Sequence, residues 1–130
     1  MNRSLEIHDS VVAAVTINGD DLIVSFAPAY IHESSGEPGV SAGVGCLQDA
    51  LMHFTGVTTV LEEPATTGTV SDGYIDIDGA RHYLIRVPYK ASGKINALFT
   101  YTSGQTFAVA AAGLECSSTG ESNEIDAYDG

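Results

Sequence analysis

Five glycine-bearing pairs, Asn18-Gly19, Asp72-Gly73, Asp78-Gly79, Ser92-Gly93 and Ser103-Gly104, interrupt short runs in which apolar and polar residues alternate. Glycine and asparagine accept the positive φ that tight hairpin turns require, so such pairs mark points where one strand folds back on the next. Between them the side chains follow a period of two. Leu22, Val24 and Phe26 share one face of their run, and Ile95, Ala97, Phe99 and Tyr101 share one face of another. That period belongs to half-buried strands. The chain is therefore expected to be all-β, an antiparallel meander of seven to nine strands closing into a small barrel or a two-sheet sandwich.

One domain is expected over residues 1–116, because 130 residues suffice for a single self-supporting core. Residues 117–130 hold Glu121, Glu124, Asp126 and Asp129 and no basic residue, so they read as an acidic, flexible tail. A break is expected at Glu62-Glu63-Pro64. Two segments admit more than one reading. Residues 33–45, with four glycines and a proline, read as a long loop. Residues 46–54 read as part of a long strand kinked near Gly56, with a short helix as the alternative.

Seventeen acidic residues against five basic ones give a formal charge of −12. Such a surface repels phosphate backbones and anionic membranes, which argues against nucleic acid and favours basic, cationic or neutral partners. No apolar run approaches a membrane span, and the N-terminal residues lack the apolar stretch of a secretory signal, so a cytoplasmic location is expected. Cys46 and Cys116 fit that setting as two buried thiols, with a single bridge as the alternative.

Leu5-Glu6-Ile7-His8-Asp9-Ser10, followed by an apolar strand, Asn18-Gly19-Asp20 and Phe26-Ala27-Pro28-Ala29-Tyr30-Ile31-His32, resembles the opening of small bacterial β domains, among them immunity-type proteins with a Leu-x-x-His-Asp-Ser start. The likeness covers about a quarter of the chain. It implies a bacterial cytosolic β domain that binds a partner protein, and it carries over no catalytic residue.

Read residue by residue, the chain offers no catalytic constellation and no cofactor motif: nucleophile elbow, phosphate loop and paired-cysteine zinc pattern are all missing. Asp9 or Ser10 would fix the backbone at a strand entry. For a metal, the best cluster sets His8-Asp9 beside His32-Glu33, the basis of a metal-dependent enzyme reading. Asp72, Asp76 and Asp78 do not follow calcium-loop spacing and fit turn chemistry instead. Four of the five basic residues, Arg81, Arg86, Lys90 and Lys94, fall in one stretch without an acid, a patch suited to an anion or an acidic partner. Phe26, Tyr83, Phe99, Tyr101 and Phe107 would line the interior of a small-molecule-binding barrel. The favoured function is a non-enzymatic binding or protein-interaction module with an acidic surface. Open sheet edges would also allow a homodimer.

Overall fold

The computed structural model describes residues 2–61 and 67–128. The break expected at Glu62-Glu63-Pro64 and the last two residues of the tail lie outside them. Among the described residues the chain forms ten strands and no helix: β1 (Asn2–Glu6), β2 (Val11–Asn18), β3 (Asp21–Ser34), β4 (Gly43–Thr55), β5 (Thr59–Leu61), β6 (Gly68–Ile77), β7 (Ala80–His82), β8 (Leu84–Arg86), β9 (Tyr89–Tyr101) and β10 (Thr106–Tyr128). All belong to one antiparallel sheet, as expected, though with one strand more than the largest expected count.

The sheet has two regimes. In one, the order β2-β6-β9-β10-β4-β3 returns to β2. Closure there rests on two residue pairs, Val11 with Thr69 and Val12 with Gly68, so the ring is partial rather than a clean barrel. In the other, the far halves of β3, β4 and β10 continue beyond the ring with β1 and β8 as an open sheet ordered β10-β4-β3-β1-β8. A register shift between Phe26 and Ala29 separates the two parts of β3, next to Pro28. Proline cannot donate to a ladder, which suits it to such an irregular point.

Alternation explains the ring. Leu22, Val24 and Phe26 point inward from β3, Met52 and Phe54 from β4, Phe99 and Tyr101 from β9, and Phe107 and Val109 from β10. Phe99 stacks on Phe107 with ring centroids 5.5 Å apart, and Phe26 tilts against Phe99 at 6.3 Å. Each such ring, fully buried, stabilises the fold by about 1.5–3 kcal/mol relative to exposure.

Three of the five glycine pairs sit at corners. At Asp78-Gly79 both residues have positive φ, 49° and 86°, the signature of a type I′ hairpin. Gly19-Asp20 joins β2 to β3, and Gly104 (φ 91°) helps turn β9 into β10. The other two expectations fail. Asp72-Gly73 lies inside β6, where a Cβ on Gly73 would sit 2.6 Å from Ile7 Cγ2 and 3.0 Å from the Leu98 carbonyl oxygen. Here glycine serves close approach rather than reversal. Ser92-Gly93 lies inside β9, opposite the register shift between Ala111 and Gly113 on β10, so it marks a bulge.

Residues 46–54 are strand: Cys46, Ala50, Met52 and Phe54 are buried along β4. The strand stops at Thr55 and does not run on through a kink; Gly56 turns with φ 59° and β5 starts separately. The loop expected over 33–45 shrinks to residues 35–42. Ser34 Oγ ties its ends by donating to the Ala42 carbonyl (2.6 Å) and accepting from the Gly36 amide (3.0 Å). Between Ala80 and Arg86 lie two short strands: β7 pairs with β6, and after Tyr83 the chain crosses so that β8 pairs with β1. Residues 117–128, expected as a flexible tail, continue β10 and pair with β4 down to Gly43. Cys46 and Cys116 are free, buried thiols.

Candidate functional site

Beyond Cys116, β10 has a strand on one side only. Its pairing with β9 ends at Cys116 opposite Tyr89, while β4 accompanies it to Tyr128. Among the described residues no strand pairs with the other edge of residues 117–128. Residues 119–127 are all exposed, Ile125 at 52%. Glu121, Glu124 and Asp126 give this edge a purely negative charge. Two register shifts, between Thr119 and Asn123 and between Glu124 and Asp126, and the positive φ of Gly120 (72°) make its ladder with β4 irregular.

Arg3 anchors this arm. Its guanidinium donates to Gln48 Oε1 and to Ser118 Oγ (3.2 Å) and lies 3.5 Å from Glu33. Gln48 in turn donates to the Gly120 carbonyl at 2.9 Å. Beside them the Cys46 thiol donates to Glu33 at 3.3 Å. Burial pushes that thiol up, Ser122 opposes through a hydrogen bond, and Glu33 adds to the rise. These surroundings disfavour the thiolate form of Cys46. The polar cluster fixes the base of the edge and leaves its outer row of backbone groups free.

A second cluster forms where β1 ends. Ser10 is fully buried; its Oγ donates to the Glu6 carbonyl (2.6 Å) and accepts from the Tyr30 amide (2.9 Å). The Ser10 amide donates to the Ile7 carbonyl at 3.3 Å and closes a turn in which Asp9 has φ 73°. That turn overrides the strand rule that sends neighbouring side chains to opposite faces. His8 Nδ1 and Asp9 Oδ2 come within 3.4 Å, and Glu6 Oε1 lies 3.2 Å from His32 Nε2. Glu33, expected beside His32, instead faces Arg3 and Cys46. Glu6 takes its place. The pairing of Glu6 with Tyr30 and Ser4 with His32 sets Glu6 and His32 as diagonal neighbours on one face. The signal in the sequence was Glu6 two residues before His8, legible only once β1 was known to pair with β3.

The basic stretch does not converge. Arg81 is engaged by Asp76 through two hydrogen bonds, 2.9 and 3.1 Å, and its guanidinium carbon lies 3.6 Å from the centre of the Tyr74 ring. The contact holds the Asp76 carboxyl below the usual carboxylate range. Arg81 and Arg86 line a groove of about 500 Å³ with Glu37 and His82, whereas Lys90 lines a different one beside His53 and reaches Glu115 at 3.9 Å. Lys94 lines neither; its backbone amide donates to Asp78 at 2.8 Å. The crossing after Tyr83 leaves Arg81 and Arg86 on one groove, while Lys90 and Lys94 lie apart from it on β9.

The aromatic residues assigned to a binding interior are placed differently as well. Phe26, Phe99, Tyr101 and Phe107 fill the ring themselves, each at most 1% exposed, and Tyr83 lies outside at 55%. No described helix is long and apolar enough to cross a membrane. Comparison with known families, with curated proteins and with solved structures finds no match.

Proposed function

We propose that this chain is a non-enzymatic protein-interaction module that receives an extended, basic segment of a partner protein along the free edge of β10. The observation that carries this reading is the strand edge at residues 117–128, without a second strand partner, acidic, exposed over residues 119–127 and tied at its base to Arg3. An unpaired edge offers amide donors and carbonyl acceptors at the spacing of a strand, and added strands bind through them. Acidic side chains then select a partner of opposite charge and disfavour a second copy of the same edge, which would set carboxylate against carboxylate. A homodimer through this edge is therefore opposed by charge. The N-terminal resemblance to immunity-type bacterial domains supports a protein as partner. A cytoplasmic setting is proposed with it, supported by the two free thiols.

The test is titration with a peptide of about ten alternating lysine and valine residues, alongside its glutamate counterpart and a copy N-methylated at alternate amides. The lysine peptide is expected to bind at least ~10-fold more tightly than the glutamate one, more weakly as salt rises. N-methylation removes strand hydrogen bonds without changing charge and is expected to weaken binding ~10-fold or more. Equal binding of the methylated peptide would show attraction by charge alone and contradict edge pairing.

A further inference from the structure

We propose a second site, independent of the β10 edge: a divalent transition-metal site formed by Glu6, His8 and Asp9, with His32 positioning the Glu6 carboxylate. One oxygen or nitrogen from each of Glu6, His8 and Asp9 lies within 4.8 Å of the others. The donor set, one imidazole nitrogen and two carboxylate oxygens, suits zinc, cobalt or nickel and leaves at least one coordination position to water. Tetrahedral zinc with bonds near 2.0–2.1 Å separates its ligand atoms by about 3.3 Å. His8 Nδ1 and Asp9 Oδ2 already stand 3.4 Å apart. The Glu6 oxygen lies within 4.8 Å of both donor atoms, and His8 and Asp9, each more than half exposed, have room to turn towards it.

Three features of the chain support a metal over a bare charge cluster. The turn that presents His8 and Asp9 is pinned by the fully buried Ser10 hydroxyl, so the backbone carrying the donors is fixed in advance. Neither Glu6 nor Asp9 meets a lysine or arginine among the described residues, which leaves two adjacent carboxylates with histidine as their only ionic partner. His32, largely buried at 13% exposure, meets Glu6 Oε1 at 3.2 Å and stacks against Tyr30 with ring centroids 5.0 Å apart. That is the place of an outer partner that orients a ligating carboxylate.

The experiment is calorimetric titration of the full chain with zinc, and with cobalt for its visible absorption. Wild type is expected to bind one equivalent. His8→Ala and Glu6→Gln are expected to lose it, and His32→Gln to weaken it about tenfold while keeping the stoichiometry. His53→Ala removes the other exposed histidine–carboxylate pair (His53 Nε2 to Asp21, 3.4 Å) and is expected to change nothing. Unchanged thermal midpoints without metal establish that each variant folds, and Asp9→Asn, which tolerates the positive φ, provides a second ligand variant. No zinc binding by wild type, or equal binding by His8→Ala, overturns the site.

Discussion

Phe99→Ala is expected to lower stability by about 3–5 kcal/mol, the range for emptying a fully buried aromatic site. Phe99 has no exposed surface and stacks on Phe107 while meeting Phe26, so its removal opens a gap where three strands of the ring converge. Against a typical total of about 5–15 kcal/mol this is a large fraction of what keeps a domain folded. Urea denaturation should show a lower midpoint with an unchanged slope. Tyr83→Ala, at an aromatic residue with more than half its surface in water, is expected to stay within ~0.5 kcal/mol. The pair separates a packed interior from a ligand-lined one. A loss below ~1 kcal/mol for Phe99→Ala would mean that the ring interior is not sealed by these side chains.

Stability is expected to fall steeply in alkali. Burial pushes the Cys116 thiol from its ordinary 9.0 up to about 12. The folded chain keeps this proton where the unfolded chain has released it. The stabilisation is complete below pH 9.0 and is lost as pH climbs towards about 12. The loss across that window is on the order of a few kcal/mol. Burial displaces Cys46 and the Tyr101 phenol in the same direction, so they add to the trend. Denaturation series above pH 9.0 should record the slope, and Cys116→Ala should make it shallower. A flat profile for wild type would show that Cys116 is open to solvent.

The architecture was legible where local chemistry and tertiary packing agree. Leu22, Val24 and Phe26 alternate because one face of β3 meets the core, and Asp78-Gly79 turns because both residues tolerate positive φ. Legibility failed where one residue type serves two purposes. Gly73 and Gly93 look like corners but provide close approach and a bulge inside strands. The acidic end looked unable to fold because residues 117–130 carry four acids, no base and few apolar side chains to bury. Its order comes from the β4 ladder and from Arg3, more than a hundred residues away in sequence. Both candidate sites depend on such distant pairings. The carboxylate beside His32 follows from β1 lying against β3, and the open edge follows from β9 beginning only at Tyr89, opposite Cys116.

Amide hydrogen exchange along residues 117–128, with and without the basic peptide, reads the docking edge directly. Alternate amides of a strand point to opposite neighbours, so half of them face β4 and half face solvent. The peptide is expected to slow exchange at the solvent-facing set and to leave the grooves beside Arg86 and Lys90 unchanged. Slowing confined to those grooves, with residues 117–128 unaltered, would contradict strand addition on β10.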